Sequence, residues 1–177
     1  QWPSSAASDV YKRQVQIPCL NEEKGIANVI KQIKKITPKS RIIVYDNGSK
    51  DQSVQIAKKN GAEVRFIDKK GKGNVVRSMF SDKIDADYFV MVDGDNTYDL
   101  SNLNKMLELM EKFNFDMIVG KRVHKDTQAY RKGHVIGNKF FSNFVNLFFG
   151  KDITDIFSGF RVFSKRFDRM IKIDGAL

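Results

Sequence analysis

Apolar residues recur along this chain in two alternating rhythms. Ile26, Val29, Ile30, Ile33 and Ile36 fall at three- and four-residue steps, which places them on one face of a helix over residues 22–36. Asn21 stands where an N-cap is expected, and Thr37-Pro38 ends the segment. Arg41-Ile42-Ile43-Val44-Tyr45 then reads as a strand closed by the turn-forming cluster Asp46-Asn47-Gly48-Ser49. The exchange repeats. A helix is expected over 51–60 with Gly61 as its stop, then a strand over 63–67, the basic glycine loop Lys69-Lys70-Gly71-Lys72-Gly73, and a helix over 74–81. A buried strand over 87–92, a helix over 100–113 and a strand over 116–119 follow. Beyond them come a polar loop over 123–132, an apolar-rich helix over 134–149, a strand-like segment over 157–163 and a helix from Lys165. The first strand is Val15-Gln16-Ile17-Pro18.

Strands that alternate with helices predict a single α/β domain, with a mostly parallel central sheet and helices on both faces. Ligands of such sheets bind beyond the carboxyl ends of the strands. The polar and glycine-bearing clusters Pro18 to Glu22, Asp46 to Asp51 and Asp93 to Asp95 all fall there. Residues 1–14 lack periodicity and an apolar core, resemble translated cloning adapter, and are read as a non-native leader. The domain is expected over 15–177, truncated at both ends.

Composition narrows the partners. At 177 residues, 41% hydrophobic and 29% charged, the chain fits one folded domain, and no apolar run reaches the ~18–20 residues that cross a bilayer. The lone cysteine, Cys19, excludes an internal disulfide, fits a reducing, cytoplasmic compartment, and reads as a packing residue. A net charge of +10 calls for an anionic partner. Nucleic acid is one class, but no nucleic-acid-binding motif is present and the carboxylate clusters would go unexplained.

Asp93-Gly94-Asp95 carries the sharpest chemistry. Carboxylates at i and i+2 after a buried strand are hard oxygen donors suited to Mg²⁺ or Mn²⁺, which need only one or two of them beside substrate phosphates. Asp-Gly is also a common turn pair. Asp46 at a strand end can accept from a uracil or guanine edge or from ribose hydroxyls, Asp51 can do so or cap the next helix, and Pro18, Asn21 and Glu22 can line a nucleoside. Lys72, with Arg77 a helical turn later, can approach an anion. Asp93-Gly94-Asp95-Asn96-Thr97 also matches the Asp-x-Asp-x-Thr of haloacid-dehalogenase-like phosphatases, with Asp93 as nucleophile, although that motif normally opens the fold.

Five ordered segments carry a resemblance: Ile17-Pro18-Cys19-Leu20-Asn21-Glu22-Glu23, Val44-Tyr45-Asp46-Asn47-Gly48-Ser49-Lys50-Asp51, Gly71-Lys72-Gly73 with Arg77, Val92-Asp93-Gly94-Asp95, and Thr154-Asp155-Ile156-Phe157-Ser158-Gly159-Phe160-Arg161. Together they resemble glycosyltransferase family 2, and within it the polyprenyl-phosphate glycosyltransferases, the group of dolichol-phosphate mannosyltransferase. The resemblance implies a Rossmann-like GT-A fold and metal-dependent, inverting transfer from a UDP- or GDP-linked sugar to a dolichyl or undecaprenyl phosphate. It implies that Pro18, Asn21, Glu22, Asp46 and Asp51 hold the nucleoside, that Lys72 and Arg77 flank the donor pocket, and that Asp93 and Asp95 bind the metal. Ser158, Gly159 and Arg161 fall on the acceptor side, with Arg122 and Arg131 as phosphate ligands. Asp155 stands either as a base or as a carboxylate orienting Arg161. Two positions depart from the pattern. Thr97 occupies a position where a glutamine often stands, and Asn47 replaces a carboxylate. A phosphate acceptor is already ionised at neutral pH and needs arginines more than a base. The apolar helix over 134–149 packs in the core or meets the membrane surface, and the protein is expected at the cytoplasmic face of the membrane.

Overall fold

The computed structural model describes residues 12–120 and 158–173. Six strands form one sheet in the order β3-β2-β1-β4-β6-β5. They are β1 (Arg13–Cys19), β2 (Arg41–Asp46), β3 (Glu63–Phe66), β4 (Tyr88–Met91), β5 (Met117–Val119) and β6 (Arg161–Ser164). β1, β2, β3 and β4 run parallel, whereas β6 pairs antiparallel with both β4 and β5. The expected α/β architecture with a mostly parallel sheet is therefore present, with β6 as the reversed strand.

Side-chain alternation divides the core between the two faces of the sheet. Val15, Ile17, Ile42, Val44, Val90 and Val162 pack against α1 (Ile26–Ile36) and α4 (Leu103–Phe113), the latter entered through a 3-10 turn at Leu100–Asn102. α2 (Ser53–Lys59) adds Ala57 to the same layer. Ile43, Tyr45, Phe89, Met91 and Phe163 face α3 (Lys72–Ser81) and α5 (Lys165–Ile173) on the other side. Gln16 is buried in that second layer, and its amide donates to the Tyr45 hydroxyl at 3.1 Å and to the Met79 carbonyl at 3.2 Å. A buried polar group partnered in this way fixes the packing of α3 on the sheet without an unsatisfied donor.

Several expected boundaries move. β1 starts at Arg13, and Arg13 and Gln14 pair with Tyr88 and Phe89, so the sheet reaches into the stretch read as a leader. α1 starts at Ile26, not at residue 22, because residues 23–25 form a turn first. Asn21 does not cap this helix: it sits in the left-handed region (φ 57°) and its side chain accepts from the Lys50 amide at 2.8 Å. α3 begins at Lys72, earlier than expected, since Gly71 at φ 112° supplies the break in the chain. Of the strand-like segment expected over 157–163, the strand itself begins only at Arg161. Among the described residues, no helix is long and apolar enough to cross a membrane. The expected helix over 134–149 lies outside the described residues.

Candidate active site

The loops that follow β1 and β2 are built against one another at the carboxyl edge of the sheet. Asp46 is 1% exposed, and its carboxylate accepts from the amides of Gly48 (3.0 Å) and Ser49 (3.2 Å). Ser49 Oγ in turn accepts from the Asn21 amide at 2.9 Å. Asp51 accepts from the Ser53 amide and hydroxyl and from the Glu23 amide, and these contacts hold its carboxyl below the usual range against a desolvation cost. Ser53 Oγ accepts from the Glu22 amide at 2.7 Å, which presents the Glu22 side chain toward the cleft. Asn21, Asp46 and Asp51 thus form the frame of these loops.

Asn47, which the sequence pattern marks as a departure, has a physical role. Its amide donates to the carbonyls of Ile67 (2.9 Å) and Lys69 (3.0 Å), and its Oδ1 accepts from the Gly71 amide at 2.7 Å. A carboxylate cannot donate to two carbonyls. Asn47→Asp is therefore expected to destabilise the domain by about 1–3 kcal/mol, because Asn47 is 3% exposed and the two carbonyls lose their donor. Urea denaturation of the variant checks this, and an unchanged midpoint would refute the bridging role.

The cleft is lined by Pro18, Leu20, Glu22, Asn47, Gly71 and Val75 together with Lys72, Asp93 and Asp95. Lys72, the first residue of α3, donates to Asp93 Oδ1 at 2.6 Å. Asp95 Oδ1 accepts from the Thr97 amide (3.0 Å) and hydroxyl (2.7 Å). Burial raises the Glu22 carboxyl above its ordinary range, and the neighbouring Asp95 and Asp93 charges add to this while Lys72 opposes it. Cys19, also at the wall, is buried, and desolvation pushes its thiol up to about 11, which fits a packing residue and not a nucleophile.

Glycines bring the other elements close to this turn. A Cβ on Gly25 would lie 2.5 Å from the Gly94 carbonyl oxygen and 2.7 Å from the Asp95 carbonyl carbon. A Cβ on Gly159 would lie 2.5 Å from Asp93 Cγ. The Gly159 amide donates to the Tyr98 hydroxyl at 2.6 Å, and Ser158 Oγ donates to the Gly120 carbonyl at 2.5 Å. Arg161 Nε donates to the Ser158 carbonyl at 2.9 Å. Gly159 thus stands directly behind Asp93, with Ser158 and Arg161 beside it in the chain. Arg77 lies on α3, a turn beyond the cleft wall, beside Asn74. Arg122, Arg131 and Asp155 lie outside the described residues.

Gly25, Tyr98 and Ser53 escaped the sequence reading as parts of the site. Only Gly25 left a trace, as a glycine inside the first turn of the helix expected over 22–36. The donor set fits a small hard dication. Glu22, Asp93 and Asp95 face a single ammonium among the lining residues, and Mg²⁺ or Mn²⁺ completes its shell with water and phosphate oxygens. Among the described residues, no group of three or more His, Cys, Asp or Glu side chains is arranged to hold a metal, so an ion here would depend on such outside ligands.

Residues 14–171 match the family described as glycosyl transferase family 2. The chain is 50% identical over 121 residues to Protein RfbJ of Shigella flexneri, covering 68% of this chain and 93% of that one. It is 29% identical over 145 residues to a dolichyl-phosphate hexose transferase of Haloferax volcanii, covering 82% of this chain and 63% of that one. Its fold matches glucosyl-3-phosphoglycerate synthase from Mycobacterium tuberculosis, solved in complex with Mn²⁺, UDP-glucose and phosphoglyceric acid. That match has a TM-score of 0.72 and 21% identity and covers 91% of this chain and 59% of that one. The chain thus spans about three fifths of the length of the latter two proteins.

Proposed function

We propose that this chain, which belongs to glycosyltransferase family 2, transfers a sugar from a nucleoside diphosphate to a polyprenyl phosphate, with Mg²⁺ or Mn²⁺ and inversion at the anomeric carbon. The observation that carries the reading is the cleft itself: Glu22, Asp93 and Asp95 meet Lys72 at the carboxyl ends of β1 and β4. Support for the donor comes from the fold neighbour solved with UDP-glucose and Mn²⁺, and support for the acceptor from the dolichyl-phosphate hexose transferase relative.

Asp93 and Asp95 would hold the metal, which when bound offsets the negative charge that grows on the departing nucleoside diphosphate. The remaining roles belong to the chain. Pro18 and Leu20 offer an apolar wall to the base, over a frame fixed by Asn21, Asp46 and Asp51. Lys72 and, a turn on, Arg77 supply positive charge on the diphosphate side. Gly159 leaves room for Asp93, and Arg161 is held by the Ser158 carbonyl on the side where a phosphate nucleophile would approach. A phosphate monoester has its second pKa near ~6 and attacks without a general base. Arg122 and Arg131 complete this acceptor side in the proposal, and Asp155 serves to orient Arg161. A lipid acceptor would put the protein at the cytoplasmic membrane face.

The phosphatase reading of Asp93 finds no support. The chain matches glycosyl transferase family 2, and the motif follows the fourth strand in chain order, which is flanked by β1 and β6. The proposal is tested by incubating the protein with UDP- and GDP-sugars, Mn²⁺ and either undecaprenyl phosphate or a free sugar acceptor. Label is expected in the lipid phosphate only when the cation is present. Transfer to the free sugar alone would overturn the acceptor assignment, and transfer in excess chelator would overturn the metal.

A further inference from the structure

We infer that Lys72 is the resident counter-ion of Asp93, a cation that the divalent metal must displace and that the donor diphosphate draws away. This rests on the reading of Asp93 and Asp95 as the metal site.

The geometry makes the two partners unequal. The Asp93 side chain is 19% exposed and is confined from behind by the Gly159 backbone, so its position belongs to the fold. The Lys72 side chain is 58% exposed, and its ammonium reaches Asp93 Oδ1 at 2.6 Å from the end of a four-carbon stem. The backbone at its root is fixed. Gly71 adopts φ 112° and its amide donates to Asn47 Oδ1 at 2.7 Å, which aims the first residue of α3 across the cleft. A long, exposed ammonium leaves such a pair at small cost, whereas the carboxylate stays.

Charge completes the argument. The lining holds the carboxylates of Glu22, Asp93 and Asp95 and the single ammonium of Lys72. A divalent ion arriving alone meets Lys72 already seated on one of its ligands and is repelled by it. A nucleoside diphosphate arriving alone meets an excess of carboxylate. When both arrive, the ammonium pairs with the diphosphate and releases Asp93 to the metal. Each ligand therefore strengthens the other, and Lys72 carries the coupling between them.

The consequence is a pair of effects with opposite signs at one residue. Electron paramagnetic resonance of free Mn²⁺ is expected to report Mn²⁺ binding roughly three- to tenfold tighter in Lys72→Met than in wild type when no nucleotide is present. Calorimetry with UDP or GDP at saturating Mn²⁺ is expected to report roughly tenfold weaker nucleotide binding in the same variant. Lys72→Gln should behave alike, which guards against a packing effect of methionine. Lys69→Met removes the same charge from the same exposed loop and should change neither affinity. Mn²⁺ affinity that is unchanged or weaker in Lys72→Met, or an equal gain in Lys69→Met, overturns the counter-ion role, as does a lack of Mn²⁺ binding in every variant. If Mn²⁺ instead binds equally to wild type, Lys72→Met and Asp95→Ala, the metal reading itself fails.

Discussion

Asp95→Ala is expected to weaken Mn²⁺-dependent UDP or GDP binding by at least about a hundredfold, equivalent to about 2.7 kcal/mol. Asp95 is exposed at the mouth of the cleft, and one of its oxygens is already committed to the Thr97 amide and hydroxyl. Those two bonds orient the carboxylate within its turn, and in the proposed site its charge is what holds the cation against the diphosphate. The loss should be functional more than structural, since an exposed turn of this kind contributes about 1 kcal/mol to stability. Asp95→Asn separates the two contributions. It keeps an acceptor for Thr97 and removes only the charge, so its stability should match wild type while its metal-dependent affinity falls nearly as far as in the alanine variant. Calorimetry at saturating Mn²⁺, repeated in chelator, gives both values. Nucleotide affinity that is equal in wild type and Asp95→Asn would remove the basis for a metal-held diphosphate at this turn.

How much of this was legible in the sequence depends on the range of the interaction. Period-2 and period-3.6 patterns report burial of local elements, so the alternation of strands and helices and the polar clusters at strand ends could be read directly. Strand direction could not. Arg161–Ser164 is a four-residue strand, Arg-Val-Phe-Ser, and nothing in its own pattern distinguishes parallel pairing with Tyr88–Met91 from the antiparallel pairing observed. The roles of Asn21, Asp46 and Asp51 stay open in the sequence for a related reason. Each is a residue type that serves equally as cap, turn former or ligand, and the choice is made by partners 28 or 29 residues away in the case of Asn21 and Asp51. Asn47 is the most instructive case. As a sequence letter it reads as a missing carboxylate, whereas in the fold it is the donor that ties the β2 loop to residues 67–71.

Gly25→Ala is expected to damage both stability and the site. Gly25 sits at the N-cap of α1 with φ −104° and ψ −38°, a conformation open to alanine, so backbone strain is not at issue. At an N-cap glycine is already preferred to alanine, by about 0.5 kcal/mol. Here the added methyl meets the Gly94 oxygen at 2.5 Å, the Asp95 carbonyl carbon at 2.7 Å and the Asp95 Cα at 2.9 Å. These are backbone atoms and cannot rotate aside. One of the two segments must move. α1 is anchored by the buried Ile26, Val29, Ile30 and Ile33, and the Gly25 and Ile26 amides bond to the Glu22 carbonyl at 3.0 and 2.9 Å. The 94–95 turn, whose Asp95 and Asn96 are exposed, is the softer partner and should yield. Overpacking of this sort costs about 1–3 kcal/mol, which adds to the loss of the preferred cap residue. It also carries Asp95 out of register with Asp93, so metal-dependent nucleotide affinity should drop by about tenfold or more even at temperatures where the variant is fully folded. Urea denaturation and calorimetry on the same preparation test both halves. A more stable variant with wild-type affinity would mean that the helix start and the acidic turn are not in contact, and the site would have to be rebuilt without that constraint.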